Sequence, residues 1–452
     1  MAARRAAVGR MTTLCEWAAD GQLWLQRARL AQAILELDPD HVKARLWLKY
    51  ERGADGRWRA PVAWTEPKDI PNAKALPEFV ERRAAVAAEF RNRLFEAIDR
   101  EGGSLPLLER ERAIEDVLIV GPDDPVAREA SGEVRRGSGW ILRETMDARA
   151  RRAALVTAAY AALAAVAEPA RVEILPAEAA LKGGFDAAVA TPDFRVLGLH
   201  ATAELPGAAR TAQAAIALFA TSFRQDPAGL PGFTFLVFSN PAKGTAFIAR
   251  SKAFREDQRA LALRCSSFWI PAAEQVLVYA NAPEVRQEWA ARQPVAEFLR
   301  RRFAVTLKQG WAHEGFGIYL SELLTGQHRT YFVRMSEYGA PADPLAAEFW
   351  KRLRAPETDW MAEAKAVLLR WPRGDLRLLL GKDVNVMKGD DLVVSYALAA
   401  LLLEGRPAET PQLLEAIGRE TPLDDAVAGA LHMTVDSLEI RLRRFLAERK
   451  KP

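Results

Sequence analysis

The sequence has few of the residues on which disulfide scaffolds and metal centres depend. Two cysteines in 452 residues, Cys15 and Cys265, exclude a disulfide framework and a thiolate metal site and leave at most one bridge. Only five histidines occur, and none lies between His200 and His313. So few scattered histidines give no basis for a Ser-His-Asp or Cys-His constellation. Three of them are expected to be ordinary turn, surface or core residues: His41, His200 and His432.

Long apolar runs are also missing. The N-terminal stretch MAARRAAVGRMTTLCEWAADG has basic residues but lacks the apolar core of a signal peptide, and no window approaches a membrane span. As written, the chain is therefore expected to be soluble and, by default, cytoplasmic. A true start further upstream would remove that inference and would allow export.

A strong excess of one charge is absent as well. The net charge is +4 and the isoelectric point is near 9.0, but acidic and basic residues are interspersed. A nucleic-acid footprint would have to be local. Two basic stretches, FLRRRF at 298–303 and the tail RLRRFLAERKKP at 441–452, are expected to be solvated helix faces or tail charges. We therefore predict no nucleic-acid partner.

Apolar residues make up 50% of the chain and charged residues 27%, which is typical of a globular protein of two or three domains. Near the N-terminus, two stretches share a pattern. Counted from Pro39 and from Pro122, both carry Asp at +1, Ala at +5, Arg at +6 and Arg at +13, then a Gly-containing turn and a Trp at +19 or +18. This agreement predicts an internal repeat, in which Pro39 opens the second helix of the first copy.

The phrase LELDPDHVKA in the first copy resembles a tetratricopeptide-type helical hairpin. Such helix pairs bury one face on a neighbour and present the other to a partner. Partner binding by the repeats is one interpretation. The other is a helical cap that packs on the following domain.

From about residue 150 the chain has a mixed α/β pattern. Short β-branched and aromatic runs predict strands at FRVLGLH (194–200), FTFLVF (233–238) and QVLVYA (275–280). An amphipathic helix is predicted by the spacing of Ala212, Ile216, Phe219 and Phe223. After residue 283 the pattern is almost wholly helical. In the last helix, Thr434 is the expected N-cap and one face is apolar. Its apolar residues are Leu438, Leu442 and Phe445.

The stretch WAHEGFGIYLSELLTG, residues 311–326, begins like half of a zinc-peptidase helix. Zinc peptidases of the gluzincin group carry H-E-x-x-H on a first helix, because two histidines one turn apart bind one zinc while the intervening Glu is the base. In many of them a second helix reads W-x-x-E-G-x-x-x-Y and supplies the third ligand. These places are held here by Trp311, Glu314, Gly315 and Tyr319. The stretch thus resembles the second motif, with His313 in a variable position and Gly317 in no ligand position.

Residues 150–450 as a whole resemble the peptidase MA-like domain, a gluzincin-type module. Further likenesses are SSFWIPAAEQVLVYA, the ending AVAGALHMTVDSLEIRLRRFL, and the preceding LDPDHVKAR and DGRW phrases. The resemblance implies an α+β, mostly helical fold, with a small mixed sheet followed by a helical half. It also implies a helical hairpin at 1–62, a second repeat and connection at 63–150, and a peptidase MA-like domain at 151–450.

The first motif of this family is degenerate in the chain. The best candidate is PVAEFLRRRF, in which Glu297 takes the base position while Ala296 and Arg300 stand where the two histidines belong. A catalytic zinc needs three protein ligands and an open position, and only Glu314 remains of the family's set. His313 is not expected to replace a ligand, because adjacent helical residues point about 100° apart. The resemblance therefore implies a pseudopeptidase without cofactor.

Glu314 would be costly if it were buried without a partner in a former metal site. We expect a guanidinium from Arg300, Arg301 or Arg302 to approach Glu314 and to take the place of zinc.

Three functions remain open. The first is a non-catalytic peptidase-like domain that binds a protein or an extended peptide, with QVLVYA as an edge strand for β-augmentation. The second is an active metallopeptidase with Glu297 as base and Glu314 on a metal; carboxylate ligands favour harder ions than zinc. The third is a structural scaffold that binds its partner through the N-terminal repeats.

Overall fold

A computed structural model describes residues 2–61, 65–72, 74–100, 105–199, 204–226, 232–263, 265–270, 273–280, 282–332 and 344–449, with side chains left out at 344–347. The chain forms two compact units, Met1–Leu142 and Arg143–Pro452. The division therefore lies at Leu142, whereas the sequence places it at residue 150, within a helix of the second unit. Helix makes up 64% of the structure and the sheets are small, so the predicted α+β, mostly helical class is confirmed.

The first unit consists of two helical pairs, each followed by a short helix and a β-hairpin. In the first half, called the first copy after the predicted repeat, these are α1 (Ala2–Asp20), α2 (Trp24–Leu37), α3 (Val42–Trp47), β1 (Glu51–Arg52) and β2 (Trp58–Arg59). In the second they are α4 (Ala75–Arg100), α5 (Leu107–Val120), α6 (Pro125–Ala130), β3 (Glu133–Arg136) and β4 (Gly139–Leu142). Packing of α1 on both α2 and α4 gives the unit its own apolar core.

The two copies share side-chain contacts as well as element order. In the first, His41 caps α3 by accepting a hydrogen bond from the Ala44 amide, and Arg45 donates to the Pro39 carbonyl. In the second, Asp124 caps α6 by accepting from the Ala127 amide, and Arg128 donates to the Pro122 carbonyl. The short helices begin at Val42 and Pro125, so the prediction that Pro39 opens a helix is wrong; three residues of turn come first. His41 is in that turn, as expected.

The second unit contains a six-stranded mixed sheet. Its strands are β5 (Ala170–Val172), β6 (Ala187–Ala190), β7 (Arg195–Gly198), β8 (Thr234–Val237), β9 (Ser267–Ile270) and β10 (Gln275–Val278). Their order across the sheet is β5-β6-β7-β8-β10-β9, with β7, β8 and β10 parallel and the others antiparallel. The three predicted strands are confirmed, although His200 lies outside the described residues. Because β10 lies between β8 and β9, the prediction of QVLVYA as an edge strand is wrong; β9 is the edge on that side of the sheet, and β5 is the other edge.

Helices cover both faces of this sheet, which explains why its central strands are apolar on both faces beyond their first residues. Phe235 and Val237 of β8 face the large core with α9 (Glu204–Phe223), whereas Leu236 faces a smaller cluster with α10 (Pro241–Arg250). Alternation along a strand sends successive side chains to opposite faces, so both sets must be apolar. The predicted amphipathic helix is confirmed as α9.

The remaining helices of the second unit complete its core. Three precede or flank the sheet: α7 (Arg143–Ala165), α8 (Pro176–Ala179) and α11 (Glu256–Ala262). The others are α12 (Pro283–Phe303), α13 (Gly310–Thr325), α14 (Pro344–Leu353), α15 (Trp360–Arg370), α16 (Asp375–Leu380), α17 (Gly389–Ala400), α18 (Thr410–Gly418), α19 (Leu423–Leu431) and α20 (Val435–Glu448). Val384–Val386 forms a 3₁₀ turn, and Leu401–Gly405 forms a π-helical turn after α17. Past residue 283 the described residues contain no strand, as predicted.

The end of the chain agrees with its sequence pattern. Thr434 caps α20 by accepting a hydrogen bond from the Ser437 amide, and the predicted apolar face is buried. His432 ends α19 in the left-handed conformation, with φ of 56°. Cys15 and Cys265 are both free thiols, so no bridge forms. Among the described helices, none has the length and apolar character needed to cross a membrane.

Candidate functional site

The candidate site is formed by two helices, α12 and α13. Pro283 occupies the first turn of α12, where its missing amide hydrogen has no helical partner to lose, and Ala304 ends the helix in the left-handed conformation. Gly326 ends α13 in the same way, with φ of 67°. Both helices are buried over most of their length. Polar side chains that they direct at each other are therefore removed from water and must satisfy one another.

A fully buried ion pair joins the two helices. Arg292 of α12 and Glu314 of α13 both have 0% side-chain exposure, and their Nη2 and Oε2 atoms are 2.8 Å apart. Burial alone would raise the pKa of Glu314, but the charge of Arg292, together with His313 and the Phe332 amide, outweighs it and the pKa is lowered. Arg292 also donates through Nη1 to the His313 carbonyl, at 3.2 Å. The guanidinium thus neutralises the buried carboxylate and lies against the backbone of α13.

Two glycines of α13 make this packing sterically feasible. A Cβ at Gly317 would lie 1.1 Å from Nη1 of Arg292, so glycine leaves room for the guanidinium in its buried, ion-paired position and any other residue would displace it. A Cβ at Gly315 would lie 2.3 Å from the Ser395 carbonyl oxygen, so glycine there lets α13 and α17 approach backbone to backbone. The guanidinium beside position 317 therefore explains why a glycine, and not a larger residue such as histidine, stands there.

Glu288 adds a second buried carboxylate one turn before Arg292. It has 0% exposure and accepts hydrogen bonds from the Arg329 and Thr330 amides at 2.9 and 3.0 Å, and from the Thr330 hydroxyl at 2.8 Å. Burial raises the pKa of Glu288, against these hydrogen bonds and the charge of Arg292. Arg292 is therefore placed between a carboxylate on its own helix and one on α13.

The chain beyond α13 crosses the same site. The Phe332 amide donates to Glu314 Oε1 at 2.9 Å. The Phe332 ring lies 4.7 Å from the His313 ring and 5.1 Å from the Trp289 ring, and 5.1 Å separates it from the guanidinium carbon of Arg292. Each of these contacts is within the range of favourable aromatic or cation–π packing. Phe332 therefore covers the ion pair.

His313 comes closer to Glu314 than its place on the helix suggests. Its Nδ1 lies 3.9 Å from Glu314 Oε1, which is too long for a hydrogen bond but shows that the two side chains converge. Among the described residues, Nδ1 has no hydrogen-bond partner. Burial lowers the pKa of His313, although the charge of Glu314 opposes this. The neutral form is thus favoured.

The arginine that pairs with Glu314 is not one of those predicted. A guanidinium does approach the carboxylate, but it belongs to Arg292. Arg300 Nε donates to Glu297 Oε2 at 2.9 Å, and Arg301 also pairs with Glu297. Arg302 pairs with Glu415. The physical reason is position on α12: Arg300 is half exposed near the helix end, whereas Arg292 is in the buried middle.

Two residues of the second motif serve different parts of the core. Trp311 is buried and its ring packs against Phe316 at 6.1 Å. Tyr319 is fully buried and donates to Glu404 Oε1 at 2.8 Å. Glu404 is carried inward by the π-helical turn and also pairs with Arg449. Tyr319 thus connects α13 to the Glu404–Arg449 ion pair, which is separate from the Arg292–Glu314 pair.

These residues do not fit a catalytic zinc. Glu314 is engaged by a guanidinium and an amide, and no group of three His, Cys, Asp or Glu in the described parts of the chain has metal-ligand geometry. Two residues of the site, Glu288 and Arg292, were missed from the sequence. Their spacing of four on α12, with one turn of helix between opposite charges, was the available signal.

Comparison with known proteins places no relative beside this chain: no family model, curated protein or solved structure matches it.

Proposed function

We propose that the protein is a non-catalytic, metallopeptidase-like protein that binds a protein or peptide partner. The observation that carries this proposal is the fully buried Arg292–Glu314 pair. In the gluzincin group, which residues 151–450 resemble, the second-motif Glu binds zinc. A guanidinium fixed at that carboxylate supplies the positive charge without a metal and leaves no Lewis acid for hydrolysis.

The structure also supports a different position for the degenerate first motif. Glu314 is opposite Arg292, and Glu288 is one turn away, so the sequence Glu288-Trp289-Ala-Ala-Arg292 takes the places of H-E-x-x-H. Trp289 then stands where the base would be. We propose this position in place of the one at Ala296, Glu297 and Arg300. Neither Glu288 nor Arg292 is a histidine, so both histidine ligands of the first motif are absent.

The partner is proposed to bind as an extended peptide along β9, the edge strand that pairs antiparallel with β10. Trp289 Nε1 donates to the Ser266 hydroxyl and Gln293 Nε2 donates to the Ser267 hydroxyl, both at 2.9 Å. These bonds fix β9 beside the helix that carries Arg292. Peptides bind strand edges through main-chain hydrogen bonds, which require no catalytic group.

Elemental analysis of the purified chain and a casein-hydrolysis assay test the proposal. We expect no stoichiometric zinc and no hydrolysis that a chelator removes. Stoichiometric zinc with chelator-sensitive hydrolysis would establish the alternative, an active metallopeptidase with Glu314 on a metal.

A designed zinc site tests the motif position. Glu288→His, Trp289→Glu and Arg292→His together recreate H-E-x-x-H opposite Glu314, and we expect this variant to bind one zinc in a chelator competition. The matched control, Ala296→His with Arg300→His, recreates the motif around Glu297 and should bind no zinc through Glu314. A folded triple variant without zinc would contradict the proposed position.

A second candidate function is a scaffold that binds through the two N-terminal copies, which share their element order and the turn contacts of Arg45 and Arg128. Charge-reversing substitutions at the two hairpins, Arg57→Glu and Arg136→Glu, separate the two proposals. The scaffold would be favoured if these variants lose a co-purifying partner while substitutions in β9 leave the binding of that partner unchanged.

A further inference from the structure

The segment Gln327–Phe332, called the strap below, leaves α13 at Gly326 and forms no regular secondary structure. Its main-chain amides are directed at side chains: Arg329 and Thr330 donate to Glu288, and Phe332 donates to Glu314. The strap therefore binds both carboxylates that flank Arg292.

Phe332 is held by contacts that any aromatic side chain could make. Its ring is bounded by Trp289, His313 and the Arg292 guanidinium, at 5.1, 4.7 and 5.1 Å. None of these contacts needs Phe332 to belong to the same chain. Its amide bond to Glu314 likewise uses only a peptide N–H. The contacts of Phe332 therefore indicate what the site can bind: an aromatic side chain next to a peptide N–H that donates to Glu314.

From this geometry we infer that the strap is a built-in occupant of the site, and that a peptide carrying an aromatic residue displaces it. This inference rests on the proposed function and names the chemistry of its partner. The incoming aromatic residue places its ring between Trp289 and His313 over the guanidinium, and its amide donates to Glu314. The strap and the partner then compete for the same site, so the partner binds only to the form in which the strap is open.

The strap has features of a segment that opens separately. A helix or sheet strand is held by a ladder of backbone hydrogen bonds, whereas the contacts of the strap run through side chains. They are the bonds to Glu288 and Glu314, the Phe332 ring, and the buried rings of His328 and Tyr331, which pack on Trp360. Within the described residues, Gln327 Oε1 and Arg329 Nε are buried without a hydrogen-bond partner, which lowers the stability of the closed form. Segments of this kind exchange through local opening.

Native-state hydrogen exchange of the full chain tests the opening. We expect the amides of Arg329, Thr330 and Phe332 to exchange at least about 100-fold faster than those in the middle of α13, such as Ile318. Exchange of the strap amides at the rate of Ile318 would overturn the inference. Zinc content does not enter this readout, so its failure is distinct from failure of the proposed function.

Peptide titration tests the ligand chemistry. The probes are N-acetyl-Ala-Phe-Ala-amide and its Leu analogue, titrated into the wild-type chain, Phe332→Ala and Phe185→Ala. Phe185, also half-buried in the second unit, packs on Phe238 and Phe247 and is the matched control. We expect Phe332→Ala to bind the Phe peptide at least about tenfold more tightly than wild type, because the competing occupant is gone.

The Leu peptide should bind Phe332→Ala more weakly than the Phe peptide, and Phe185→Ala should bind as wild type does. Equal affinity in wild type and Phe332→Ala, or no preference for Phe, would overturn the inference. If Phe332→Ala does not fold, Phe332→Leu keeps the apolar volume and removes the ring, and the same comparison applies.

Discussion

Arg292 and Glu314 stabilise each other because neither has access to water. Replacing Arg292 by Met keeps much of the side-chain volume but leaves Glu314 buried without its counter-charge. We expect Arg292→Met to lower the free energy of unfolding by about 3–5 kcal/mol, measured by urea denaturation. The double variant with Glu314→Gln should recover much of that loss, since no uncompensated charge then remains.

The control for this substitution is Arg300→Met on the same helix. Arg300 is 51% exposed, and Glu297 keeps a second cationic partner, Arg301, when Arg300 is replaced. We expect a change of at most about 1 kcal/mol. Equal losses for Arg292→Met and Arg300→Met would contradict the assignment of the buried pair.

Gly317 gives a second prediction at a single residue. A methyl group there would overlap the Arg292 guanidinium, at 1.1 Å from Nη1, so α13 or Arg292 must move. We expect Gly317→Ala to lower the free energy of unfolding by at least about 2 kcal/mol in the same urea experiment. Combined with Arg292→Ala, it should cost less than the sum of the two single changes, because the clash is with that side chain.

Gly429 is the matched control, since it lies inside α19 and a Cβ there meets no atom within 4 Å. Gly429→Ala should be neutral or stabilise by up to about 1 kcal/mol through helix propensity. Destabilisation by both substitutions alike would show that the space at Gly317 is not the cause.

At the scale of single helices and strands, the sequence predicted much of what local pattern determines. The strand at 275–280, the helix around Phe219 and the cap at Thr434 follow from alternation, helical spacing and capping chemistry. Strand order is not local: QVLVYA is interior because β9 pairs with its free side. The Arg292–Glu314 pair is likewise tertiary, because only the packing of α12 on α13 decides which arginine faces the carboxylate.

The two N-terminal copies differ in one respect that predicts unequal stability. Arg45 and Arg128 hold equivalent carbonyls, but Arg128 also pairs with Glu133, which is 1% exposed, whereas Asp40 beside Arg45 is 96% exposed. We expect Arg45→Met to cost about 1 kcal/mol, the value of a hydrogen bond. Arg128→Met should cost about 3 kcal/mol because it removes the counter-charge of a buried carboxylate.

Urea denaturation of the two variants measures this difference, with Arg128→Met/Glu133→Gln as the compensating control. That double variant should be more stable than Arg128→Met alone. Equal costs for Arg45→Met and Arg128→Met would mean that Glu133 contributes nothing to the second copy.

Across the whole molecule, each of the two units is stabilised by apolar packing of its own. Phe79 of α4 is 1% exposed in the core of the first unit, and Phe219 of α9 is fully buried in the core of the second. Chains with separate cores depart from two-state unfolding. We therefore expect differential scanning calorimetry of the full chain to resolve two transitions.

Phe79→Ala and Phe219→Ala assign these transitions. Each removes a buried ring and should lower the stability of its own unit by about 3–5 kcal/mol, with the midpoint of the other transition unchanged. Movement of both midpoints in either variant would show that the units unfold as one. Independent transitions would mean that a partner bound to one unit stabilises that unit alone, because ligand binding shifts only the equilibrium to which it is coupled. The same calorimetric experiment with the Phe peptide would then report which unit binds it, and the strap predicts the second.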